Sequence, residues 1–338
     1  MSQATLPPSA GVQGAFGSIV LVLVAMSAFA IQDIAVKVVS DDVSLWQLMF
    51  VRSTATLGLM VSIVAVLHRG TALVPNRWVW PVIRACFMSG AYLFFYASLA
   101  WLPVTTAAAT FFTGPLMITL MAALVLGEPI GPRRIIAVIV GFAGVLIIVR
   151  PGFGDFHIAA LLPVISAFCY AAGNVITRWR CKDEPNWALS MVHNLLYANL
   201  GMLGVLIVPS LGFSDEVVHE LPFVLNGWLE PSLLSVLLML FTAGTHLVGV
   251  LCIVRAYQNE DASRLAPFEY TYLAIVPTLE FAIWRTLPDQ WTLVGMGLIT
   301  AAGVFVAWRE GRPVRPRVHT QGEDPWTSET GARRRDRD

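Results

Sequence analysis

Ten apolar runs, each close to the length that crosses a bilayer, constrain this chain more than any other feature. They cover residues 15–38, 46–68, 79–101, 103–127, 132–150, 158–179, 187–212, 232–257, 263–285 and 291–309, with polar segments between them. At 1.5 Å per residue, about 20 helical residues span the ~30 Å hydrocarbon core. Lipid offers no partner for backbone N–H and C=O, so such runs must satisfy themselves as helices. The composition agrees: 56% of the 338 residues are hydrophobic and 13% are charged. Soluble domains hold about 45–50% and about 25%. The first run is too long for the apolar stretch of a signal peptide and is expected to remain as a helix.

Several function classes lose support at this level. The formal net charge is zero, which gives no electrostatic case for nucleic acid. Cys86, Cys169, Cys181 and Cys252 are scattered without CxxC spacing, so neither a disulfide framework nor a metal site is expected, and no cofactor is called for. An embedded enzyme would need a chemical motif, and the chain has no HExxH, GxSxG or P-loop pattern. A channel would need a filter loop or a ring of charge, and neither is visible. The remaining class is a carrier, which saturates and counterflows where a channel does not and an enzyme makes product.

Loop charge sets an expected topology. One set of loops holds Arg69 and Arg77, Arg133 and Arg134, Arg178, Arg180 and Lys182, then Arg255 and Arg264, and Arg309 opens an Arg-rich tail. The opposite loops hold only Arg150 and Arg285. The positive-inside rule then places both termini in the cytoplasm of a multi-pass inner-membrane protein. Trp46, Trp78, Trp187 and Trp291 sit near run ends, as an aromatic belt does.

The two halves echo each other. An offset of 159 residues matches Pro129 to Pro288, Gly144 to Gly303, Arg150 to Arg309 and Ala97 to Ala256. Trp46 followed six residues later by Arg52 mirrors Trp187 followed by His193. Five spans per half force the second half to be inverted, an arrangement that secondary transporters use around a midplane substrate site. The expected architecture is an all-α polytopic membrane protein of ten transmembrane helices in two inverted five-helix repeats. The repeats cover 15–150 and 158–309, with a disordered N-terminus over 1–14 and a disordered tail over 310–338.

The GEP after the fourth span (127–129), the glycine-containing fifth span ending VRPG, and PFEYTYL (267–273) before a Pro288-Asp289 turn resemble the EamA-type members of the drug/metabolite transporter superfamily. The resemblance covers about 15–309. It implies an inner-membrane carrier of small organic metabolites, such as amino acids, nucleotide-like compounds, vitamins including riboflavin, or amphiphilic drugs. One departure is that TLPD replaces GEP in the second half, so Glu128 has no counterpart.

Ionisable groups inside the runs are the candidate cargo contacts, because a charge at the bilayer centre costs about 2.5–3.5 kcal/mol on insertion scales. The run 264–285 carries Glu269 and Glu280 with Pro267 and Pro277. Glu269 reads either as the cargo or proton group or as a solvated mouth residue. Tyr272, one turn on, shares the face of Glu269; Tyr270 and Tyr272 cannot share a face with each other, since two residues turn about 200°. Asp33 reads as a cargo contact or as the ion-pair partner of Lys37 or Arg52. Arg52 and His193 are expected at pseudo-equivalent positions on a central cavity. His193 and His246 titrate near neutrality and offer proton coupling, or are satisfied core histidines. Asn174 reads as a cargo contact or as interhelical glue. Tyr96 belongs to an aromatic stretch suited to an amphipathic cargo. The expected partners are a small-molecule substrate, protons as a coupling ion and the lipid bilayer, with the protein a monomer or homodimer.

Overall fold

The computed structural model describes residues 9–66, 73–127, 131–150, 158–259, 265 and 268–310. Glu128 of the GEP motif, Arg69, Arg264, Pro267, most of the 150–157 linker, residues 1–8 and the tail from 311 lie outside them.

Every regular element among the described residues is helical. In chain order they are α1 (Ser9–Val39), α2 (Leu45–Val66), α3 (Val79–Ser98), α4 (Val104–Phe111), α5 (Gly114–Leu126), α6 (Pro132–Val149), α7 (Leu162–Arg180), α8 (Asn186–Ile207), α9 (Asp215–Glu220), α10 (Pro222–Leu225), α11 (Leu233–Asn259), α12 (Tyr272–Trp284) and α13 (Gln290–Glu310). Seven stretches are long and apolar enough to cross a membrane: Phe16–Val39, Leu45–Val66, Val79–Ser98, Val104–Leu126, Ile158–Arg180, Asn186–Leu211 and Leu233–Ile253. Three shorter apolar helices, Ile135–Val149, Tyr272–Trp284 and Gln290–Val306, correspond to the other three runs. Among the described residues, all ten runs are thus helical, and seven have the length and composition of a membrane span. Large apolar side chains such as Leu124, Leu206 and Leu234 remain exposed on the outside, as a lipid-facing surface requires.

The helices pair along their lengths as α1 with α11, α3 with α7, α2 with α8 and α6 with α13. Without water between them, helices in lipid gain from close van der Waals packing, which small residues permit. A Cβ on Gly201 would come within 2.5 Å of the Phe50 backbone nitrogen, and one on Gly204 within 2.1 Å of the Trp46 ring. These two glycines bring α8 onto the start of α2. Gly144 and Gly295 do the same for α6 and α13, each placed against the other's carbonyl oxygen.

Two apolar runs are interrupted. The fourth breaks at Phe112–Thr113, where α4 ends and α5 begins with Pro115 in its first turn. The ninth turns at Tyr270–Thr271, and its long helix starts only at Tyr272. Each break carries its own patch: Thr113 Oγ1 donates to the Thr110 carbonyl at 2.7 Å and Thr271 Oγ1 to the Phe268 carbonyl at 2.6 Å. Each carbonyl also accepts the backbone N–H of the same threonine at 3.2 Å, so the hydroxyl adds a second bond to the turn.

One end of the bundle is tied shut. The Glu280 carboxylate accepts from the backbone N–H groups of Val104 (2.9 Å) and Thr105 (3.1 Å) at the start of α4. Lys37 Nζ donates to the Leu99 carbonyl. The 208–232 segment folds back over this end. Gln47 exchanges two 3.1 Å bonds with the Leu229 backbone, Trp46 Nε1 donates to the Val224 carbonyl at 2.7 Å, and Asp42 accepts from Ser232 N–H and Ser235 Oγ. Arg150 and Asp289 form an ion pair at 2.8 Å. At the opposite end Glu184 accepts from the N–H groups of Asn76 (2.6 Å) and Arg77 (3.0 Å), and Asn76 Nδ2 donates to the Asp183 carbonyl.

Candidate functional site: a buried polar cluster beside a central cavity

Arg52 on α2 is 1% exposed. Its guanidinium lies over three tyrosine rings, with Cζ 5.0 Å from the Tyr92 centroid, 5.3 Å from Tyr96 and 5.4 Å from Tyr197. Desolvated contacts of this kind contribute up to about 2 kcal/mol each and offset part of the cost of burying the cation. The Tyr96 hydroxyl is the hub of the cluster. It accepts from Arg52 Nη1 (2.8 Å) and Gln32 Nε2 (2.7 Å) and donates to Asp33 Oδ1 (2.9 Å). Gln32 Nε2 also reaches Asp33 Oδ1 at 3.2 Å, and the Tyr272 hydroxyl donates to Asp33 Oδ2 at 2.5 Å.

The expected ion pair of Asp33 with Lys37 or Arg52 does not form. Asp33 is served by three neutral donors, Lys37 turns to the Leu99 carbonyl, and Arg52 meets Asp33 only through the Tyr96 hydroxyl. The reason is geometric: tyrosines on α3 and α12 reach between the charges, which helix spacing within α1 cannot reveal.

Beside the cluster is a cavity of about 170 Å³ between α2, α3, α8 and α11. Its polar lining is Thr56, Arg84, Asn186, Ser190, His193, Asn194 and His246; its apolar lining includes Met60, Met88, Leu247 and Val250. Tyr92 belongs to both, since it lines the cavity and carries Arg52 on its ring. His193 stacks on Tyr197 at 5.7 Å and approaches Ser89 Oγ at 3.4 Å, and Tyr92 meets His246 edge-on at 5.8 Å. Gln32 Oε1, Arg52 Nε, Tyr197 Oη and His246 Nδ1 are buried with no hydrogen-bond partner among the described residues. Buried polar atoms are ordinarily paired, so four in one region mark a place where water or a bound molecule completes the bonding.

Residues 16–150 match the EamA-like transporter family. The chain is 26% identical over 232 residues to the S-adenosylmethionine uptake transporter of Rickettsia bellii, covering 67% of this chain and 73% of that protein. It is 28% identical over 239 residues to the riboflavin transporter of Vibrio cholerae, covering 70% and 74%. It is 26% identical over 294 residues to the pseudopaline exporter CntI of Pseudomonas aeruginosa, covering 86% and 95%. Over residues 16–150 the chain is similar to the EamA-like transporter family, and these three relatives are transporters of small molecules by name.

The structure gathers six of the nine sequence candidates. Asp33, Arg52, Tyr96 and Tyr272 share one hydrogen-bond network, and His193 and His246 line the cavity next to it. Arg52 itself is not a lining residue; Tyr92 separates it from the cavity. The other three lie elsewhere. Half-buried Glu269 stands before the Tyr270–Thr271 turn and outside the cavity lining. Tyr270 packs on Phe112 at 5.5 Å and against Gly303, where an added Cβ would meet its hydroxyl at 1.6 Å. Asn174 Nδ2 donates to the Tyr170 carbonyl four residues back, and Asn194 and Asn199 bond within their own helix in the same way. Sequence reasoning missed Gln32, Tyr197 and Arg84. Arg84 had a usable signal, as a cation inside the third apolar run.

Proposed function

We propose that this protein is an inner-membrane secondary carrier of ten spans, with both termini cytoplasmic, which moves a small organic metabolite by alternating access through the central cavity. The observation that carries the reading is the cavity itself, a pocket inside the bundle lined by polar and aromatic groups, beside a charged network with four unpaired buried atoms. Concave sites with apolar walls and a few convergent polar groups suit small metabolites.

Two further features support the two-repeat architecture, and a third supports the topology. The breaks at 112–113 and 270–271 fall within two residues of the 159-residue offset, and interrupted helices at matching positions accompany substrate sites in inverted-repeat carriers. The pairings also interchange under the same relation: α1 with α11 answers α3 with α7, while α2–α8 and α6–α13 answer themselves. The loops at the untied end carry most of the loop arginines, which favours a cytoplasmic mouth there. His193 and His246 are the groups proposed for proton coupling.

Accessibility tests this without a known cargo. In a variant lacking the four native cysteines, Ser190→Cys is expected to react with a membrane-impermeant thiol reagent from the cytoplasmic face, and Thr105→Cys from neither. Labelling of Ser190→Cys only from the periplasmic face would reverse the topology. No labelling from either face would remove the cavity as a route. A metabolite-uptake and toxicity screen in a strain deleted for the gene then identifies the cargo.

A further inference from the structure

The cavity lining contains one Asp, Glu, Lys or Arg, and that residue is Arg84. Its Nε donates to Thr177 Oγ1 at 2.8 Å and its Nη1 makes a long 3.4 Å contact with the Leu189 carbonyl. Neither partner is charged. Nη2 has no hydrogen-bond partner and the guanidinium no ion-pair partner among the described residues.

Behind the Tyr92 ring stands the second cation, Arg52, with its Nε unpaired. The anion of the cluster, Asp33, is already fully engaged: Tyr96 and Gln32 occupy Oδ1 and Tyr272 occupies Oδ2. Negative charge in this region is thus served by neutral protein donors, while positive charge has donors to spare. His246, 6% exposed, adds an unpartnered Nδ1 on the cavity wall. Two arginines against one aspartate leave an excess of one positive charge in a medium that screens poorly. That excess matches a monoanion, and a planar guanidinium matches a carboxylate in particular. The rest of the wall, Met60, Met88, Leu247, Val250 and the rings of Tyr92 and Trp187, suits an apolar or planar body. The volume of about 170 Å³ limits what fits to a small molecule or to the head of a larger one.

We propose that the cavity selects metabolites bearing a carboxylate, that Arg84 is the residue that pairs with it, and that Tyr92, Trp187 and His246 hold the body of the molecule. This rests on the reading of the cavity as the cargo site.

The test uses the full chain in lipid nanodiscs and four probes of one size: phenylacetate, phenylacetamide, phenyl phosphate and phenethylamine. Quenching of tryptophan fluorescence reports binding, with Trp187→Phe as the variant that assigns the signal to the cavity. Phenylacetate is expected to bind about tenfold or more tighter than the amide or the amine. Arg84→Gln should abolish that preference and Arg84→Lys should retain part of it, with both variants melting within a few degrees of the parent. Equal or tighter binding of the amide or amine overturns the proposal, as does a preference that survives Arg84→Gln. Tighter binding of phenyl phosphate overturns the carboxylate assignment. If Arg84→Gln does not fold, the ranking of the four probes on the parent protein still decides. Should all four bind alike through Trp187, the cavity stands as a cargo site and the charge assignment fails. Should none bind, both fail.

Discussion

The two ends of the bundle are held by different means. At the tied end the bonds join residues far apart in sequence and from both halves: Glu280 to Val104 and Thr105, Gln47 to Leu229, Trp46 to Val224, Arg150 to Asp289. The two bonds to Glu280 are buried, so two backbone N–H groups depend on a single carboxylate. At the other end the bonds among the described loop residues are those of Glu184 and Asn76, both at exposed positions. A buried charge-assisted bond contributes about 1.5–3 kcal/mol, whereas exposed polar contacts contribute about 1 kcal/mol or less. Among the described residues, the bonds that join the two halves through a buried carboxylate lie at one end only. Under the proposed topology the cavity faces the cytoplasm and the tied end is periplasmic.

That contrast can be broken by mutation. Glu280→Ala should have the largest effect. It strands two buried N–H donors, each worth about 1–3 kcal/mol when unsatisfied, and should lower stability by about 3 kcal/mol. It should also expose Thr105→Cys to an impermeant thiol reagent from the tied side. A parent-like melting curve and an unlabelled cysteine would show that the tie is not what closes this end.

Gln47→Ala comes next. It removes both bonds to Leu229 and should cost about 1–2 kcal/mol, with the effect confined to the 208–232 segment. Hydrogen exchange should rise there and stay constant at 73–78. Glu184→Gln, at the other end, keeps one acceptor and should change stability by about 0.5 kcal/mol or less. Chemical denaturation of the three variants in the same lipid would rank them, and any other order contradicts the comparison.

The smallest expected effect is that of pH on the loop tie. Hydrogen bonds from Ser235 Oγ, then from Ser232, hold the Asp42 carboxyl below its ordinary value of 3.8. A depressed carboxyl stabilises the fold above its unfolded value, and the contribution disappears as pH falls through the folded one. Melting should therefore be insensitive to this group from pH 8 to 5 and lose its contribution only below about pH 4. Asp42→Asn should flatten that acid limb. A change attributable to Asp42 near neutrality would contradict the bonding described.

The helices were legible from the sequence because hydrophobic length is a local property. The break in the fourth run was nearly so: the Gly114–Pro115 pair signals it two residues after the turn at Phe112–Thr113. The start of α12 was not, since the run 263–285 carries Pro267 and Pro277 while its chain turns at 270–271, at neither proline. At the site, single residues were legible and their partnerships were not. Asp33 and Arg52 attract notice as charges in apolar runs, but the hydroxyl between them comes from 63 and 44 residues away, and Tyr272 from 239. Spacing on one helix suggests Lys37 for Asp33. It cannot know that the Leu99 carbonyl, on another element, takes Lys37 instead. Glu269 drew attention for the same reason as Asp33, and only tertiary packing separates the residue in the network from the one outside the cavity.

The Tyr272–Asp33 bond has a kinetic consequence. It joins α12 to α1, whereas the other donors to Asp33 come from α1 and α3. Any motion that parts α12 from α1 must release this bond before the rest of the cluster is disturbed. A charge-assisted bond of about 1.5–3 kcal/mol, if lost on the way to the barrier, slows a step by roughly 10- to 150-fold. Under the proposed alternating-access cycle the contact then acts as a brake on turnover. Counterflow rates of Tyr272→Phe against the parent would measure it, with a faster exchange expected and an unchanged one placing the motion elsewhere.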